Sequence, residues 1–172
     1  MSNIRTSRRE AIALAGAAAA ALAGVEAAST AHTAPQKGKP RKAVMFSMLP
    51  SDRTVEDRFK TARDTGFEGV EAPPITDIAE CEHMRKAAET AGVRIHSVIY
   101  GGWNAPLSSA DPQVVERGIE GVKAGLRGAA AMGADGLLLV PGIVNGSTRY
   151  ADAYQRTQAN VRRLIPTAAQ HK

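Results

Sequence analysis

Two stretches of this chain, Thr65-Gly66-Phe67-Glu68-Gly69-Val70 and Met132-Gly133-Ala134-Asp135-Gly136-Leu137, share the form Gly-x-acid-Gly-apolar. The first glycine of each suits the left-handed residue that ends a helix, and the second opens a strand. A helix-to-strand junction used twice predicts repeated βα units. The flanking residues read the same way. Ala43 to Leu49 is a near-continuous apolar run of strand length, stopped by Pro50. Thr54 with Asp57 three residues on resembles a capping box, and Val55, Phe59 and Ala62 follow at helical spacing.

The next units repeat the plan. Gly69 to Ala72 is a short strand cut off by Pro73-Pro74. Asp77 then caps a helix running to about Ala91, with Ile78, Cys81, Ala88 and Ala91 on one side. Val93 to Tyr100 is a third strand. Asp111-Pro112 starts a third helix, an N-cap followed by proline at the first helical position. Val115, Ile119, Val122, Leu126 and Ala129 trace its apolar stripe, while Gly118, Gly121, Gly125 and Gly128 along the same helix mark close packing. Gly136 to Val140 is the fourth strand. The fourth helix spans roughly Ala151 to Gln170, with Tyr154, Val161, Leu164 and Ile165 as its apolar set and a kink at Pro166.

Four apolar strands alternating with amphipathic helices imply an α/β fold with a parallel sheet. Two architectures use these parts: an open doubly wound sheet, or part of a (β/α)8 TIM barrel. The phosphate-loop signatures of nucleotide-binding doubly wound folds, G-x-G-x-x-G after a strand and G-x-x-x-x-G-K-[ST], do not occur.

A formal charge of +5 invites a nucleic-acid reading until it is divided along the chain. Residues 1–31 carry +1 and residues 32–42 carry +4; from Ala43 onward basic and acidic residues balance. The folded part presents no net basic field, and no nucleic-acid partner is expected. Residues 1–31 read instead as an export signal. A basic leader with Arg8 and Arg9 precedes an uncharged, alanine-rich run from Ala11 to Val25, which as a helix would rise only about 22 Å. Ser29-Thr30-Ala31 supplies small residues for cleavage after Ala31. Ser7-Arg8-Arg9-Glu10-Ala11-Ile12 resembles the twin-arginine signal, which predicts a periplasmic or other extracytoplasmic location and the twin-arginine export machinery as a partner. Residues 32–42, with Pro35, Pro40 and four cations, read as a solvated tether.

In both architectures ligands sit at the carboxyl ends of the strands. There the first strand offers Ser47 and the second Glu71, a carboxylate that is costly to bury without a partner. The third leads into Tyr100-Gly101-Gly102-Trp103-Asn104, where Trp103 supplies an apolar wall and Asn104 both a donor and an acceptor. Sugars are held by such pairings of aromatic face and amide. Trp103 equally suits a plug over the sheet end. Asn145-Gly146-Ser147 follows the fourth strand and is a turn first, a glycosylation sequon second. The histidines form no metal-ligand spacing: His32 and His171 lie near the ends, His83 is on a helix, and His96 falls early in its strand. No Ser/His/Asp or Cys/His arrangement is present, and Cys81, the single cysteine, reads as packing.

Taken in order, Thr65–Glu71, Ala91–Ser97, Trp103–Leu107 with Asp111-Pro112, Ala131–Gly136 and Asn160–Pro166 resemble the sugar phosphate isomerase/epimerase family with a xylose isomerase-like TIM barrel. The resemblance spans about residues 43–172 and implies the first four βα units, a half barrel with parallel strands, of an eight-unit fold. It also implies a small sugar or sugar-phosphate substrate, a divalent metal (Mn, Mg, Co or Zn), and proton transfer through an enediolate-like intermediate. The family's metal ligands and catalytic carboxylates come mainly from strands five to eight, so no catalytic or metal-binding residue carries over. Glu71, Trp103 and Asn104 match as pocket lining. The expected product is the N-terminal part of an exported metal-dependent sugar isomerase or epimerase, inactive alone, whose open sheet edges favour pairing with a second copy. A sugar-binding or dimerising half-barrel module without catalysis is the alternative. An apurinic endonuclease-like relative would want histidines where Tyr100 and Val140-Pro141 stand.

Overall fold

A computed structural model describes residues 40–171. Arg8, Arg9, Ala31 and most of the tether lie outside the described residues. From Pro40 onward the chain forms one unit of ten short elements. These are β1 (Ala43–Met45), a 3-10 turn (Phe46–Met48), α1 (Val55–Asp64), β2 (Gly69–Ala72), α2 (Ile78–Ala91), β3 (Arg94–Tyr100), α3 (Pro112–Ala131), β4 (Gly136–Leu139), α4 (Tyr150–Arg162) and α5 (Ile165–Gln170). All three strand pairings are parallel, in the order β1-β2-β3-β4. A doubly wound sheet reverses its strand order at the ligand site. Here the order never reverses, so right-handed crossovers place every connecting helix on one face.

The two like junctions are built alike. Phe67 N–H donates to the Ala62 carbonyl and Ala134 N–H to the Ala129 carbonyl, around Gly66 (φ 84°) and Gly133 (φ 70°). Thr54, Asp77 and Asp111 each accept a backbone N–H at their helix starts. The main core lies between sheet and helices and includes Phe59, Ala62, Val70, Cys81, Met84, Val98 and Met132. A second cluster, Leu107, Val115, Ile119, Val122 and Leu164, joins α3 to the end of the chain. Cys81 is fully buried, and burial pushes its thiol pKa up. Among the described residues no helix is long and apolar enough to cross a membrane.

Three sequence expectations need correction. The first strand ends at Met45, because Phe46 folds inward against Phe59 with ring centroids 5.2 Å apart. The Arg58 guanidinium then covers the Phe46 ring and donates to the carbonyls of Phe46 and Leu49, curling the segment into a turn. The last helix breaks at Arg163-Leu164, ahead of Pro166, which sits in the first turn of α5 and lacks the N–H that would continue α4. Ile78, Tyr154 and Ile165 are exposed, not core.

Candidate functional site

Val70 and Ala72 are fully buried under the helices, so Glu71 between them points to the opposite, inner face of the sheet. Across β2 and β3, Val70 pairs with Ile95 but Glu71 pairs with Ser97, which leaves His96 as one extra residue in β3. That bulge keeps Ile95 and Val98 under the helices while turning Ser97 inward. The Ser97 hydroxyl donates to a Glu71 carboxylate oxygen at 2.9 Å. Two residues along, Ile99 shares this face, opposite Leu138 of β4, which is 46% exposed.

Past the strand ends lies a concavity of about 470 Å³, lined by Pro74, Ile99, Val140 and the loop from Tyr100 to Ala105. The loop is anchored at both ends. Ala105 N–H donates to the Gly102 carbonyl, closing a turn that carries Trp103 and Asn104. Asn160 Nδ2 of α4 donates to the Leu107 carbonyl at 2.9 Å. Ser108, 2% exposed, receives the Ile143 N–H on its hydroxyl at 2.9 Å, tying this loop to the one after β4. The glycines of α3 let the helix come in underneath: a Cβ on Gly118 would lie 2.3 Å from the Ala105 carbonyl oxygen, and one on Gly121 2.0 Å from the Tyr100 hydroxyl.

Trp103 and Asn104 are thus gathered at the concavity. Trp103 is 65% exposed, so it forms a wall and plugs nothing. Tyr100 lines its base, the ring wedged between Gly121 and Gly102, where burial raises the phenol pKa. Glu71 sits on the inner face with Ser97, apart from the lining residues. Ser47 is exposed in the turn after β1, and Asn145 lies in its own turn, its Oδ1 accepting from Ser147 and Thr148 N–H; neither lines the concavity. Ser97 and Ile99 were within reach of strand alternation, had the bulge been visible. Pro74, Val140 and Ser108 carry no such signal.

A family model for the xylose isomerase-like TIM barrel matches residues 59–172. The chain belongs to this xylose isomerase-like TIM barrel family. Solved structures agree on the fold. D-psicose 3-epimerase crystallised with D-fructose is 17% identical, with a TM-score of 0.65 over 77% of this chain and 50% of that one. L-ribulose 3-epimerase is 22% identical, with a TM-score of 0.64 over 77% and 47%. A 3-keto-D-glucoside 4-epimerase from E. coli is 16% identical, with a TM-score of 0.61 over 77% and 53%. The chain therefore spans about half the length of these structures, and its four units are a partial barrel. No curated protein sequence matches it.

A divalent ion fits poorly with the residues in hand. Among the described residues no three His, Cys, Asp or Glu side chains gather to hold one. On the inner face Glu71 is a single carboxylate already engaged by Ser97.

Proposed function

We propose that this chain is the sugar-binding N-terminal portion of an exported sugar isomerase or epimerase, and that these four units do not turn over substrate on their own. The observation that carries the reading is the concavity at the strand ends, where Trp103 offers an open aromatic face beside the Asn104 amide. A sugar ring lays its C–H face on such a wall while the amide and the backbone N–H groups of Gly101 and Gly102 meet its hydroxyls. Family membership and the ketose epimerases among the matched folds support a small ketose as the ligand class.

Chemistry is the missing half. Moving a proton between neighbouring carbons needs an acid and a base near the reacting carbons and a charge to steady the enediolate oxygen. Glu71 is the one carboxylate on the described inner face, and it has no second group to hand the proton to. The metal dependence implied by the resemblance would therefore draw its ligands from outside these four units.

Titrating the protein with D-fructose while following Trp103 fluorescence tests the binding reading. Saturable quenching in the wild type, with a binding heat that is lost in Trp103→Ala by calorimetry, supports it, and a binding heat unaltered by that substitution refutes it. Incubation of the same protein with D-fructose and Mn²⁺ is expected to give no C3 epimer; metal-dependent conversion would overturn the inactivity. Export is tested by fusing residues 1–40 to a reporter: replacing Arg8 and Arg9 by Lys should abolish periplasmic signal, and undiminished export would defeat the twin-arginine route.

A further inference from the structure

The two loops that border the concavity, residues 101–111 after β3 and 140–149 after β4, contain no helix or strand of the sheet. Main-chain carbonyls in such segments need partners from elsewhere. Three of them find theirs on a single helix. Asn160 Nδ2 donates to the Leu107 carbonyl at 2.9 Å, the Thr157 hydroxyl to the Pro141 carbonyl at 3.1 Å, and Arg156 Nη1 to the Ser108 carbonyl at 3.4 Å. Positions 156, 157 and 160 share one face of α4. That face is polar where it meets the loops, between the buried Ala153 and Leu164. The loops also meet each other there. The Ser108 hydroxyl accepts the Ile143 N–H and donates to the Ile143 carbonyl. Gly142 threads this junction with no room to spare: a Cβ on it would lie 2.8 Å from Thr157 Oγ1 and 2.9 Å from the Ser108 Cβ.

We propose that Asn160, with Thr157 beside it, is a positioning residue for the ligand at this concavity, a role that rests on the sugar-binding reading above. One wall of the concavity is the turn carrying Trp103 and Asn104, a few residues before Leu107; the other is Val140, next to Pro141. The sheet joins the two walls at their base, where Val140 N–H donates to the Tyr100 carbonyl at 3.0 Å. Beyond that last rung their spacing is set by α4, which grips one carbonyl on each side. None of Arg156, Thr157 and Asn160 lines the concavity, so they act through the main chain they hold. A sugar lying on the Trp103 face and reaching Val140 then finds both walls already in place. Ordering a loop at the moment of binding subtracts from affinity, and the helix removes that cost beforehand.

Asn160→Asp keeps the side-chain shape and removes the donor; Thr157→Val does the same for the hydroxyl, and Thr157→Ser retains it. Calorimetric titration of the full chain with D-fructose should show the dissociation constant raised about tenfold in Asn160→Asp and Thr157→Val, and unchanged in Thr157→Ser. Hydrogen exchange without sugar should quicken about tenfold in peptides covering 102–109 and 140–146 of the first two variants, and stay as in the wild type across β1 and β2. A purely structural role would lower the urea midpoint while leaving the folded protein's dissociation constant and loop exchange unmoved, and that result overturns the proposal. So does a loss in Thr157→Ser equal to that in Thr157→Val. Gly142→Ala leaves every hydrogen-bonding side chain in place and pushes the loop off Thr157 and Ser108. It should weaken D-fructose to the same degree, and an unchanged constant would again overturn the positioning role. If the wild type binds no D-fructose, the sugar reading fails by itself, and the exchange rates of the two loops decide whether α4 sets their spacing.

Discussion

Gly118→Ala is the sharpest perturbation of the loop that bears Trp103. The new methyl would stand 2.3 Å from the Ala105 carbonyl oxygen and 3.1 Å from the Leu107 side chain. A carbon and a carbonyl oxygen rest about 3.3 Å apart or more, so one of the two must retreat by roughly 1 Å. The carbonyl has little room, because Ala105 N–H is tied to Gly102, Leu107 to Asn160, and Ser108 to Ile143. Overpacking of this kind costs about 1–3 kcal/mol, and replacing glycine by alanine inside a helix returns about 1 kcal/mol. The net expectation is a loss of about 1 kcal/mol, accompanied by a change at Trp103. Urea unfolding followed by circular dichroism gives the first quantity. Fluorescence of the single tryptophan, which sits on the displaced turn, gives the second. A variant that is more stable by about 1 kcal/mol, with unchanged Trp103 emission, would refute the close approach.

Gly121→Ala should also destabilise, by about 1–3 kcal/mol, as its methyl meets the Tyr100 hydroxyl; adding Tyr100→Phe should recover part of the loss, measured as a coupling energy in a double-mutant cycle. Ser108→Ala leaves the Ile143 N–H without its acceptor and should cost about 1–3 kcal/mol in urea unfolding, whereas Ser147→Ala, in an exposed turn, should change little. Acid should weaken the fold. Its own backbone N–H at the helix start, and then His83, hold the Glu56 carboxyl below its usual range, so its contribution is present at neutral pH and is lost as pH falls through that lowered value. Melting temperature against pH should therefore drop more gently below the carboxylate range in Glu56→Gln than in the wild type.

Much of the site was legible where local chemistry is decisive and illegible where distant segments meet. Asp77 and Asp111 cap their helices as read, because a cap needs only the next few residues. Leu49 and Phe46 read as strand, yet Arg58, nine and twelve residues away, draws their carbonyls into a turn. Tyr154 and Ile165 have core-like character and helical spacing but stand exposed, since periodicity names a face without naming what covers it.

From its own residues the sequence determined the βα repeat, the capped helices, and the concentration of excess charge before Ala43. Each is a property of nearest neighbours or of simple counting. Only the tertiary structure decided that the strands lie in unreversed order, that a bulge at His96 sets Ser97 opposite Glu71, and that Tyr100 turns under α3 while Trp103 stays open. Those outcomes depend on register and on backbones meeting at 2–3 Å from an absent side chain, and no pattern along the chain encodes such distances.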